Sequence, residues 1–89
     1  MKAIITVIGK DRVGIIAAVT AILADTGSNV LDINQTVMQD FFTMITLVDI
    51  EHLTIPFAQL KEKLSALGEE MGLSVSIQRE EIFTAMHRI

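Results

Sequence analysis

Hydrophobic and polar residues change their period several times along the chain, and each change marks an element. From Ala3 to Ile8 the chain is continuously apolar apart from Thr6 and rich in β-branched residues, the pattern of a strand buried in the middle of a sheet. Gly9-Lys10-Asp11-Arg12-Val13-Gly14 then reads as a turn with two glycines. Ile15 to Asp25 follows as a helix, with Ile15, Val19, Ile22 and Leu23 on one face. The opposite face is Ala17, Ala21 and Ala24 with Thr20, small and uncharged, so another helix could approach it closely. Gly27 is placed to end that helix in a left-handed conformation. In Val30 to Met38, Leu31, Ile33 and Val37 alternate with Asp32, Asn34 and Thr36, which predicts a strand with one covered face. Gln39-Asp40 joins it to Phe41–Ile50 as an antiparallel hairpin whose turn type the sequence leaves open, neither residue being glycine.

Pro56 suits the start of a second helix, where a missing N–H costs nothing. Phe57, Leu60, Leu64, Leu67 and Met71 recur at spacings of three and four, with Lys61, Glu62, Glu69 and Glu70 on the other side. Leu73 to Gln78 alternates strictly and predicts the last strand. The order βαββαβ contains two crossovers, and their right-handedness places both helices on one face of a four-stranded antiparallel sheet, a ferredoxin-like α+β sandwich. One domain spans 1–89, with its core over 2–78 and a tail over 79–89. Ile82, Phe83, Met86 and Ile89 in that tail predict a short extra helix that covers the domain's own sheet edge or embraces a second subunit.

Composition narrows the partners. A domain of 89 residues buries only about 60–65% of the surface its unfolded chain exposes. There is no cysteine to add a disulfide, and 51% of residues are hydrophobic, so self-association is expected. Eleven acidic against seven basic residues give a net charge of −4, which offers no attraction for a phosphate backbone. The first run lacks the length and flanks of a signal peptide or membrane span, and this with the lack of cysteine favours a cytoplasmic protein with no membrane partner.

A ferredoxin-like fold serves many functions, so the site residues must discriminate. A metal carrier needs a Cys-x-x-Cys pair, which is absent. An RNA reader needs stacking aromatics on one sheet face, whereas Phe41 and Phe42 are adjacent and point to opposite faces, and Tyr and Trp are absent. What stands out is Gly9-Lys10-Asp11-Arg12-Val13-Gly14-Ile15-Ile16 at the first strand-to-helix turn and Gly27-Ser28-Asn29-Val30-Leu31-Asp32-Ile33 where the second strand begins. In these segments, and in element order from Lys2 to about Gln78, the chain resembles the ACT domain family. It is most similar to stand-alone bacterial ACT proteins and to the ACT domains of the glycine cleavage regulator and formyltetrahydrofolate deformylase.

The resemblance implies an amino acid held at the interface of a homodimer. Asp11, Arg12, Val13, Gly14 and Ile15 would lie on one side, and Asn29, Val30 and Asp32 on or near the other. Physically, a loop ending in the first turn of a helix offers unpaired N–H groups to a carboxylate. Gly14 admits close approach and Asp11 can accept from an amino group. Structural roles stand beside these: Asp11 as a cap or turn residue, Gly14 for backbone geometry, Arg12 as a solvated side chain, and Asp32 and Asn34 as an exposed strand face. His52 and His87 have no companion ligands, so neither metal nor cofactor is expected. Met38, Met44, Met71 and Met86 read as core or interface filler.

Three functions follow. The first is a regulatory module sensing a small metabolite and acting on an unidentified protein partner. The second is a structural dimerisation or interaction domain without a ligand. An acylphosphatase-like enzyme is the weakest, because Arg12 has no asparagine converging with it on a phosphoryl group: Asn29 and Asn34 lie on another element. No catalytic constellation is found elsewhere.

Overall fold

The computed structural model describes residues 1–82. Its elements are β1 (Lys2–Lys10), α1 (Ile15–Asp25), β2 (Asn29–Met38), β3 (Phe41–Asp49), α2 (Phe57–Met71) and β4 (Leu73–Arg79), in the expected order. All strand pairs are antiparallel, in the spatial order β2-β3-β1-β4. The continuously apolar β1 takes a central place, flanked by β3 from Lys2↔Asp49 to Lys10↔Phe41 and by β4 from Ala3↔Arg79 to Gly9↔Leu73. Arg79 therefore belongs to the last strand. Residues 80–82 are helical, and the rest of the predicted tail helix, with Phe83, Met86, His87 and Ile89, lies outside the described residues.

One face of the sheet carries the core. Ala3, Ile5 and Val7 of β1 and Phe42, Met44 and Val48 of β3 meet Ile15, Val19 and Leu23 of α1 and Leu60 and Leu64 of α2. Each of the larger of these side chains, fully buried, contributes roughly 1.5–3 kcal/mol. The adjacent phenylalanines divide as alternation requires: Phe42 is 4% exposed and Phe41 57%. α2 approaches β4 closely because Gly68 has no side chain; a Cβ there would lie 2.7 Å from the Leu73 carbonyl oxygen. At the end of α1, Gly27 takes φ +77, where a Cβ would meet the His52 carbonyl at 2.5 Å.

The strand expected to have one covered face is covered only in part. Every residue of β2 is exposed, including Val30, Leu31, Ile33 and Val37. Register with β3 pairs Val30, Ile33, Gln35 and Val37 with the core-side residues Val48, Thr46, Met44 and Phe42, so these four do point to the helix side. A bulge between Val30 and Asp32 interrupts the alternation at Leu31. The helix layer stops short of this strand: α1 directs Ile15, Val19 and Leu23 into the core, and Ile16 on its flank is itself exposed. Met38, expected as filler, is 71% exposed at the strand's end.

Candidate functional site

The loop from Asp11 to Gly14 leaves the end of the central strand β1 and is anchored from two directions. The Asp11 N–H donates to the Asp40 carbonyl at 2.8 Å, tying the loop to the β2–β3 hairpin. The Arg12 guanidinium donates to the Met71 carbonyl at 3.3 Å, tying it to the last turn of α2. A cation at that position also complements the negative end of the helix. Arg12 is thus not merely solvated, and its partner, a backbone carbonyl, could not be found in a side-chain pattern.

Gly14 is the N-cap of α1 with φ +93, and nothing lies within 4 Å of where its Cβ would be. Its backbone conformation, not packing, calls for glycine. No side chain caps this helix and no acid sits in its first turn, so Asp11 does not serve as the cap. The first N–H groups of α1 consequently have no partner within the helix, and the loop above them is open: Val13 is 97% exposed. Ile15 is different, because its side chain is buried in the core. Only its backbone N–H faces the loop.

Asn29, Val30 and Asp32 are far from this loop within one chain. Asn29 pairs with Asp49, at the end of the sheet where β1 begins, while Asp11 follows β1's other end. The strand rise puts roughly 25–30 Å between the two sets. Asp32 is locally engaged, its Oδ1 accepting the Ile33 N–H at 2.9 Å. The fold brings Asp11, Arg12, Val13, Gly14 and Ile15 together and leaves Asn29, Val30 and Asp32 at the opposite end of the sheet, on its exposed edge.

Two features were not visible in the sequence. Gln39, beside the anchoring Asp40 carbonyl, holds φ +56, a left-handed conformation in a residue type that seldom adopts it. Thr46, in mid-β3 opposite Ile33, is fully buried, and its hydroxyl lacks a hydrogen-bond partner. Alternation puts Thr46 on the face of Phe42 and Met44 and Thr43 on the other, but nothing in the sequence tells that the Thr46 hydroxyl goes without a partner. Among the described residues there is no group of three or more His, Asp or Glu side chains able to hold a metal ion, and no helix is long and apolar enough to cross a membrane.

Comparison with known proteins places this geometry in context. The ACT domain family model matches residues 2–78. A UPF0237 protein of Clostridium acetobutylicum is 53% identical over 89 residues, covering all of both chains. The solved structure of an ACT domain protein from Streptococcus pneumoniae is 41% identical and superposes with a TM-score of 0.81 over 93% of each chain. A structure described as a glycine cleavage system transcriptional repressor matches with a TM-score of 0.74 at 24% identity, over 88% of this chain and 44% of its own. The formyltetrahydrofolate deformylase of Burkholderia mallei matches with 0.79 at 15%, over 88% and 28%. The last two share the fold.

Proposed function

The chain belongs to the ACT domain family, and from that premise we propose that it is a regulatory module that binds an amino acid at the interface of a homodimer. The observation that carries this reading is that the two sets of candidate residues lie at opposite ends of the sheet, Asn29, Val30 and Asp32 on the bare β2 edge and the Asp11–Gly14 loop tied through Asp40 to the hairpin at that strand's other end. Antiparallel pairing of β2 with β2 of a second copy reverses one strand against the other. The Asn29, Val30 and Asp32 end of one protomer then lies near the Asp11–Gly14 end of its partner, which no arrangement within one chain achieves. The uncapped N–H groups of α1 receive the ligand carboxylate and Asp11 accepts from its amino group. The same pairing, over the regular stretch from Asn34 to Met38, satisfies the outward backbone groups there and shields Val37 and the neighbouring Ile33.

The test is a thermal-shift screen of the purified protein against the amino acids, glycine and serine included, with mass in solution recorded alongside. A ligand that binds the dimer raises the melting temperature and tightens association together. Asp11→Ala is expected to abolish the ligand response and leave the fold intact; a mutant that responds like the parent removes Asp11 from the site. A ligand-free interaction module is the second reading, favoured by the engagement of Arg12 with the Met71 carbonyl. A stable dimer indifferent to every amino acid would establish it in place of the first.

A further inference from the structure

A second place on the molecule brings opposite charges to one cavity. Asp25, the last residue of α1, and Lys63, on α2, line a crevice of about 230 Å³ together with Ile22, Thr26 and Ile55. This is below the roughly 300–1,000 Å³ of drug-sized pockets and suits a molecule of a few heavy atoms. Thr26 is 3% exposed and its hydroxyl donates to the Ile22 carbonyl at 2.8 Å, so the crevice has a fixed inner wall.

Both charges are poorly served by their own helices. α1 has no base in its last turn and ends on an acid, the sign that the negative end of a helix disfavours. Lys63 has Gln59, Leu60, Ala66 and Leu67 at the positions three and four residues away, so no acid of α2 supports it. The two line the same crevice, yet among the described residues no ion pair joins them.

We infer that this crevice binds a small aliphatic zwitterion. Its ammonium rests against Asp25 and the negative end of α1, its carboxylate meets Lys63, and its hydrocarbon lies between Ile22 and Ile55. The crevice is at the far end of α1 from Gly14, roughly 16 Å along the helix axis. It is therefore a site separate from the loop and does not rest on the reading given above.

A homologous series of ω-amino acids, from glycine to 6-aminohexanoate, tests the inference as a molecular ruler. The full chain is titrated with each member while the Ile22 and Ile55 methyl signals are followed by NMR. The expected result is a saturable shift of both methyls, strongest at one chain length, weakened at least tenfold by Asp25→Asn and by Lys63→Met and unchanged by Asp11→Ala. Both substituted side chains are exposed, so the variants are expected to fold. No saturable shift with any member overturns the inference. So does a shift that survives both crevice substitutions, and so does one lost only in Asp11→Ala, which would assign the binding to the loop.

Discussion

The two edges of the sheet are built alike in the backbone and oppositely in their surroundings. β4 has α2 packed on it: Leu73 and Ile77 are buried, Gly68 lets the helix settle against the strand, and the Arg79 guanidinium lies 5.1 Å from the centre of the Phe57 ring. β2 has ten residues and no buried side chain. A solitary domain gains nothing by leaving Val30, Leu31, Ile33 and Val37 on an unprotected strand, because long apolar edges invite unwanted pairing. The difference teaches that the two edges of the sheet have separate duties. The β4 edge is closed by a helix of its own chain, whereas the β2 edge leaves its apolar side chains exposed while α1 buries Ile15, Val19 and Leu23 in the core.

Substitutions can break that contrast. The largest effect is expected at Gly68→Val, whose side chain would force α2 away from Leu73 and Val75; overpacking of this kind costs about 3 kcal/mol. Urea unfolding at several protein concentrations measures it, and a loss seen only at high concentration would show that the covered edge also serves association. On the bare edge, Ile33→Lys is expected to leave unfolding of the dilute protein within about 0.5 kcal/mol of the parent while weakening self-association at least tenfold by light scattering. A variant equally destabilised at every concentration would place Ile33 in the protein's own core and erase the contrast.

Two smaller effects sharpen it. Thr46→Val removes a buried hydroxyl that has no partner and is expected to stabilise the chain by about 1 kcal/mol. If thermal melting instead shows a loss, that hydroxyl is satisfied by something bound. Gln39→Gly relieves the left-handed conformation at the hairpin and is expected to add about 0.5 kcal/mol. A fall in melting temperature would mean the gain in unfolded-chain entropy outweighs the relief.

The fold was almost wholly legible because each element carries its own local signal. The three-and-four spacing of Leu60 and Leu64 and the strict alternation after Leu73 each report a burial pattern that the structure repeats; the apolar run of β1 marks the central strand, but its burial alternates and Ile8 on the open face is 48% exposed. β2 failed for an instructive reason. Alternation tells which residues share a face, and Ile33 and Val37 do share one; it does not tell whether a helix reaches that face. The candidate loop was recognisable from Asp11, Gly14 and their spacing to Ile15. Its anchors were not, because Arg12 and the Asp11 N–H bond to the carbonyls of Met71 and Asp40, and a backbone carbonyl is the same in every residue. Asp25 at the wrong end of a helix was a readable signal, but its relation to Lys63 needed the third dimension.

The bulge at Leu31 has a bearing on what this edge avoids. A flat ten-residue strand can template the endless stacking of amyloid. Here the bulge twists the first third of β2 out of line, and the Asp32 carboxylate already occupies the Ile33 N–H. An intruding peptide therefore finds only a short run from about Asn34 to Met38 on which to grow. Straightening that segment, by removing Leu31 or by replacing Asp32 with valine, would be expected to turn a guarded edge into a seed for fibrils.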